Sequence, residues 1–439
     1  MILFTMLGLC DFKFDTYMKE NSTEYSTIKR RQFLKSTLIG SISLTCIPPL
    51  YSYTQKKLDY SLELNVPTKL FDGERCWCHP RAGIVPGSKD TDTPSIVMTI
   101  NKLDLAGSDV FYGMYGLLTN NLGKEWTNPK ELKTLAPKFE IIDGIRRPVA
   151  VSDFWPKWHN TTKTLLGVGH TVVYTPNWKV ANPRPRSTAY SIYDIEKGEW
   201  GNWQKLEMPD KEKFYNAGAG CVQRYDLKNG DIFLPIYFRP KGKNSRVTVC
   251  KCSYDGKKLK YLAHGTELEL NNETRGLGEP SLTKFKSDFF LTIRNDKKSF
   301  VARSKDGLHY DTYQTWKFDD GTELGSYNTQ QHWLTHSEGL FLVYTRKGAD
   351  NDHVFRHRAP LFMAEVDPEK LCVIKATEQI LVPERGARLG NFGVTHISPG
   401  ESWVTVSEWM QPEGVEKYGS DGSVFVAKIK WNHPNCLFS

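Results

Sequence analysis

With 439 residues and a formal charge of +8, the chain is long enough for a large core and too mildly basic for a dedicated nucleic-acid surface. Its lysines and arginines are dispersed rather than clustered, so no nucleic-acid partner is expected. No run of 18 or more apolar residues occurs, which excludes a classical spanning helix and a stable membrane span of that kind.

The first element is a targeting segment. Lys29-Arg30-Arg31-Gln32-Phe33-Leu34-Lys35 precedes a mildly apolar run from Ser36 to Leu50. This order resembles a twin-arginine export signal, with Lys29 where Ser or Thr is usual. Residues 1–54 are therefore read as an export leader, and the body as periplasmic or secreted. Met18 is an alternative start, and Ser43-Leu44-Thr45 before Cys46 is a poor lipoprotein signal. The leader holds six basic and four acidic residues, so the body keeps a net +6.

A connector containing Pro67 follows. From about Glu74 the chain consists of short strand-like runs broken by Gly, Asn, Asp and Pro. These include Ser95–Ile100, Val110–Tyr115, Thr164–Val168, Asp231–Tyr237, Phe289–Ile293, Leu340–Tyr344 and Trp403–Val406. Helical periodicity is scarce and aromatics make up 12% of the chain, which favours β structure. The Trp-rich stretch Phe154-Trp155-Pro156-Lys157-Trp158-His159 is read as a loop. Residues 65–439 are expected to form a single all-β domain.

Three fragments are variants of one turn pattern, a hydroxyl residue, an acid or amide, a glycine and then an aromatic, the copy at Ser253 being degraded. They are Thr119-Asn120-Asn121-Leu122-Gly123-Lys124-Glu125-Trp126, Ser253-Tyr254-Asp255-Gly256-Lys257-Lys258-Leu259 and Ser304-Lys305-Asp306-Gly307-Leu308-His309-Tyr310. The Asp or Asn side chain can bond the turn backbone, and glycine supplies a positive φ. Their recurrence predicts a radial array of small sheets, most simply a six-bladed β-propeller with four strands per blade. Five blades with long insertions is the alternative. The last strand is expected to close the first blade.

Seven cysteines lie outside the leader, an odd number that gives no complete disulfide framework. Cys76 with Cys78, and Cys250 with Cys252, have a spacing too short for structural zinc and are read as buried thiols or a disulfide. No metal and no cofactor are expected.

These turns resemble the Asp boxes of the sialidase (neuraminidase) superfamily. The resemblance implies a sialidase-like propeller that clamps a carboxylated sugar with three arginines from different blades, with an Asp as acid/base and a Tyr–Glu pair as nucleophile. Residue by residue, Arg81 in His79-Pro80-Arg81-Ala82-Gly83-Ile84-Val85-Pro86 takes the first arginine's place. Asp109 in Gly107-Ser108-Asp109-Val110 takes that of the acid/base, with Asp104 as rival. Gly278-Glu279-Pro280, followed by Phe289–Arg294 and the turn after Ser304, matches the segment carrying the Glu and the second arginine. Arg358, with Arg356 and Arg346 as rivals, fits the third. The tyrosine is not matched, because Phe392 stands where it is expected. His170 and His332 beside strand runs are alternative substrate-site or base residues. The resemblance implies an exported exo-glycoside hydrolase acting on an acidic sugar, with an acidic glycan as partner. A non-catalytic glycan-binding propeller and a polysaccharide lyase on uronic-acid glycans are the alternatives.

Overall fold

Short antiparallel strands joined by tight turns build six sheets in the computed structural model, which describes residues 58–87, 93–107, 109–272 and 274–437. The expected export leader lies outside them. The described residues form one compact unit. Blade I comprises Arg75–Val85, Ser95–Asp104, Phe111–Thr119 and Lys130–Glu131. Blade II runs from Ile145–His159 through Thr164–Val173 and Thr188–Asp194 to two short outer pieces, and Lys138–Ile142 adds a hairpin arm to its inner strand. Blade III places Ala217–Gly218 and Tyr225–Asp226 inside Ile232–Phe238, Arg246–Tyr254 and Leu259–His264. Blade IV is Gly278–Phe285, Asp288–Arg294, Phe300–Ser304 and Gln314–Thr315. Blade V is His332–Thr335, Leu340–Tyr344, Leu361–Asp367 and Gln379–Val382, with Cys372–Val373 beside them. Blade VI is Gly393–Ser398, Glu401–Ser407 and Ser423–Trp431, completed on its outside by Tyr60–Lys69.

That last pairing closes the ring, and it differs from the expectation. The first strand completes the last blade, rather than the last strand completing the first. Pro67 is tolerated because Tyr60–Lys69 is an outermost strand and its register breaks between Asn65 and Thr68. This pairing covers the outer edge of Ser423–Trp431.

The core is divided among the blade interfaces. Leu166 and Val168 of blade II pack with Ile232, Leu234 and Ile236 of blade III. Phe290 and Val301 of blade IV meet Trp333 and Leu342 of blade V. Ile96, Met98 and Ile100 of blade I meet Trp403, Val424 and Val426 of blade VI. Inner strands are therefore covered on both faces, which suppresses the alternating pattern of a half-exposed strand. This explains the misread Trp-rich stretch. Phe154 to His159 belong to the inner strand of blade II, with Phe154 and Trp155 buried.

Every turn between the third and fourth strands closes on an Asp or Asn side chain among the described residues. Asn121 Oδ1 accepts from Glu125 N at 3.0 Å, and Asp306 Oδ1 accepts from Leu308 N and His309 N at 2.9 and 2.8 Å. Asp255 does the same, as do Asp194 and Asp367, which the sequence reading did not single out. Gly123, Gly256 and Gly307 supply the positive φ these turns need.

Candidate functional site

One end of the ring carries the chemistry. The inner strands begin there, and the loops joining second to third strands return there. At this mouth the inner strand of blade I bulges between Cys78 and Arg81, that of blade II between Ser152 and Trp155, and that of blade IV between Gly278 and Ser281. The bulged residues are left-handed, with φ of 55° at His79, 51° at Asp153 and 42° at Glu279. Cys221 in blade III and Asn328 ahead of blade V share that conformation, at 56° and 52°. Five blades thus carry a left-handed non-glycine residue near this mouth, three of them at a bulge. Each such residue costs about 1–3 kcal/mol, and concentrated strain of this kind marks functional sites.

Beneath the bulges lies a floor with one residue from each blade: Arg81, Trp155, Gln223, Ser281, His332 and Phe392. The Arg81 guanidinium stacks 5.0 Å from the Trp155 ring. Trp155 meets His332 at 4.8 Å, and His332 meets Phe392 at 5.0 Å. His332 Nδ1 pairs with Ser281 Oγ at 2.8 Å. Arg81, His332 and Phe392 are each fully buried. The structure therefore puts Arg81 and His332, expected at the substrate, in the plug below the mouth. Burial holds His332 neutral, well below the usual imidazole range.

Above the floor, Asp153 forms a hub. Its Oδ1 accepts from the Cys221 thiol at 2.7 Å and lies 3.6 Å from Arg81 and 3.4 Å from His79 Nδ1. Its Oδ2 lies 3.8 Å from His170 Nε2. Asn391 Nδ2 donates to His79 Nε2 at 2.6 Å. Burial, with Asp153 and Glu279 nearby, pushes the Cys221 thiol well up, so it is no thiolate nucleophile. No group of three or more His, Cys, Asp or Glu among the described residues is arranged to hold a metal ion.

His170, on the second strand of blade II, hydrogen-bonds through Nδ1 to the Tyr237 hydroxyl of blade III at 3.0 Å. Burial, together with Arg186 and Arg184, holds His170 well below its ordinary value, so the ring is neutral and Nδ1 can accept the phenol proton. Burial raises the Tyr237 phenol, while Arg186 pulls it the other way with its guanidinium 4.6 Å from the ring. Gly218-Ala219-Gly220 explains itself here. A Cβ on Gly220 would lie 1.9 Å from His170 Nδ1, and one on Gly218 would lie 2.6 Å from Arg186 Cδ.

The other half of the mouth is cationic. Arg294 ion-pairs with Glu279 and donates to Asn328 Oδ1 at 2.6 Å. Arg358 donates to the carbonyl of the same Asn328, and Arg275 reaches its Oδ1 at 3.2 Å. Arg358 is 4% exposed, and its buried Nε has no hydrogen-bond partner. Burial, then Arg294, Arg388 and Arg356, push its guanidinium far below the usual arginine range. Arg388 is also buried, lies 4.1 Å from the Trp409 ring and is lowered to about 10 by burial and then by Arg356. Arg356 stands more open, and burial and Arg294 push it in the same direction. Arg346, the rival, is committed elsewhere by a fork onto Glu378 at 2.9 and 2.6 Å.

Asp109 stands at the rim, 3.3 Å from Arg184. Burial alone would raise its carboxyl, but Arg184 and His79 hold it below the ordinary value. As placed, it carries its proton only in acid. Asp104, its rival, caps its own turn by accepting from Ala106 N at 2.8 Å. Tyr327 pairs with His357 Nδ1 at 2.6 Å in the field of Arg356 and Arg358, and Tyr344 is tied to Glu378 within blade V.

The site thus unites Asp109, Glu279, Arg294, Arg356, Arg358 and His170 around one mouth. The sequence reading missed Asp153, Arg186, Tyr237 and Arg388. The run Pro183-Arg184-Pro185-Arg186 between two strands was the one local signal available for any of them.

The architecture is that of a sialidase-like six-bladed β-propeller. Comparison with solved structures finds the Trypanosoma rangeli sialidase at TM-score 0.53 and 12% identity, over 83% of this chain and 57% of that one. The Hadza microbial sialidase Hz136 is similar at TM-score 0.53 and 11% identity, over 81% of this chain and 66% of that one. A protein of unknown function from Dyadobacter fermentans matches at TM-score 0.56 and 14% identity, over 84% of this chain and 99% of its own. At such identities the likeness concerns the fold, and the chain spans less than two thirds of either sialidase. No protein-family model and no curated protein matches the sequence.

Proposed function

We propose that this protein is an exported carbohydrate-active enzyme that cleaves a glycosidic bond at a carboxylate-bearing sugar. The observation that carries the reading is the group formed by Arg294, Arg356, Arg358 and Arg388. Burying Arg358 and Arg388 beside Arg294, with the more open Arg356 near them and Glu279 as the main counter-charge, is costly, and an incoming carboxylate relieves that cost. Guanidinium forks match carboxylate oxygens, and Arg358 has no carboxylate partner among the described residues. Asp109, opposite on the rim, is the proton donor, and Glu279 is the base that activates water. Because Arg184 holds Asp109 ionised, hydrolysis is favoured in acid; because Phe392 stands where a nucleophilic tyrosine is expected, simple aryl sialosides are poor substrates. Export rests on the Arg30-Arg31 signal.

The Tyr237–His170 pair favours a second reading, β-elimination on a uronic-acid glycan. There Tyr237, passing its own proton to His170, takes the proton next to a carboxylate held by Arg186, the C–O bond at the neighbouring carbon breaks with its oxygen leaving protonated by solvent, and a double bond remains. Incubation with a panel of acidic glycans, followed by proton NMR and absorbance at the ultraviolet band of unsaturated uronates, separates the two. Reducing sugar without that absorbance supports hydrolysis, and the absorbance supports elimination. If no acidic glycan binds or is cleaved, both readings fall.

A further inference from the structure

Counting charges around the mouth separates two kinds of arginine. Arg184 has Asp109, Arg275 has Asp296 at 2.5 Å and Arg294 has Glu279. Arg186, Arg356, Arg358 and Arg388 have no carboxylate partner among the described residues. The unpaired four do not form one group. Arg356, Arg358 and Arg388 come from blade V and the approach to blade VI. Arg186 comes from the loop between the second and third strands of blade II. In a ring of six, blades II and V face each other across the axis.

Arg186 is also a built position rather than a loose surface charge. Its backbone bridges to Asn216, its carbonyl accepts from Ala217 N at 3.1 Å, and its N–H donates to Tyr215 O at 3.3 Å. Its stem rests on Gly218, where a Cβ would strike it, and its guanidinium lies over the Tyr237 ring at 4.6 Å. Its Nε is buried and has no hydrogen-bond partner. A cation fixed by backbone, glycine and aromatic ring, yet lacking an anion, is poised for one from outside.

We infer that the mouth takes a glycan carrying two anionic groups, the first held by Arg358 with Arg294 and Arg388, and the second by Arg186 across the ring. This rests on the acidic-sugar reading and narrows it to a polyanionic glycan. The second group is a carboxylate or a sulfate ester, both of which offer oxygens to a guanidinium fork.

Calorimetry on the whole protein with three probes tests this: galacturonic acid (one charge), digalacturonic acid (two carboxylates) and a chondroitin disaccharide (one carboxylate, one sulfate). One added charge-assisted contact predicts that at least one doubly charged probe binds roughly ten- to a hundredfold more tightly than galacturonic acid. Whichever probe shows the gain identifies the second group. Arg186→Gln should collapse that ratio toward one, and Arg186→Lys should restore part of it, which separates charge from a folding defect. Arg358→Gln should weaken all probes together. Equal affinity for singly and doubly charged probes, or a ratio that survives Arg186→Gln, overturns the two-anion site. Failure of every probe to bind overturns the acidic-sugar reading and this inference with it.

Discussion

Replacing Arg358 by methionine should make the protein more stable and less able to bind. Arg358 and Arg294 are hydrogen-bonded to one asparagine, which places their guanidiniums on the order of 6–8 Å apart. At an effective dielectric near 20, each such repulsion is worth about 2–3 kcal/mol. Arg388 and Arg356 add to it, and Glu279 offsets roughly one of these interactions. Methionine removes the charge but keeps the stem that packs on Gly390, where a Cβ would lie 2.4 Å from Arg358 Cδ. The loss is the hydrogen bond to Asn328 O, worth about 1–3 kcal/mol when the charged donor is removed. The expected balance is a gain of about 1–2 kcal/mol in unfolding free energy. Urea denaturation followed by tryptophan fluorescence measures it, and calorimetry on the same samples should show acidic-sugar affinity falling by about 10- to 1,000-fold. A variant destabilised by more than about 1 kcal/mol would refute the reasoning, because the guanidinium would then be a structural ligand rather than a charge held ready for an anion.

Gly220→Ala should cost about 1–3 kcal/mol in the same denaturation assay, because its Cβ would enter the His170 ring, whereas Gly400→Ala, with open space to 4.0 Å, should be neutral. Arg184→Gln should raise the Asp109 carboxyl toward its ordinary value. Hydrolysis that needs protonated Asp109 falls as pH rises through that value, so the variant's fall should occur at higher pH in a pH–rate profile. An unchanged profile removes Asp109 as the donor. Phe392→Tyr should yield no new turnover of aryl sialosides and should destabilise by about 1–3 kcal/mol, since its hydroxyl would be buried in the floor against His332. Arg30→Lys with Arg31→Lys should leave the protein in the cytosol on fractionation, and normal export of that double variant would remove the twin-arginine assignment.

Much of this was legible locally. The Asx turns are encoded within seven or eight residues and were read as blade punctuation, with Asp194 and Asp367 missed because no glycine follows in register. Glu279 and Arg294 were placed together because one strand pair carries both. What escaped reading depends on closure of the ring. Tyr60–Lys69 is an outer strand only because it meets Ser423–Trp431. The Phe154–His159 stretch lacks alternation because both its faces are covered. Arg186 meets Tyr237 through the interface between two blades, and Arg388 meets Arg358 from a loop with no motif of its own. Arg81 looked like a clamp residue from its neighbours in sequence, but a two-residue bulge at His79 and Pro80 sends it into the floor instead.

The central claim is that the arginine group exists to hold a sugar carboxylate. A crystal structure of the protein soaked with galacturonic acid or sialic acid tests it directly. The account predicts the carboxylate within about 3 Å of the Arg358 guanidinium and of at least one of Arg294 and Arg388. A sugar seated elsewhere on the ring, or one in the mouth with its carboxylate turned to solvent, would contradict it.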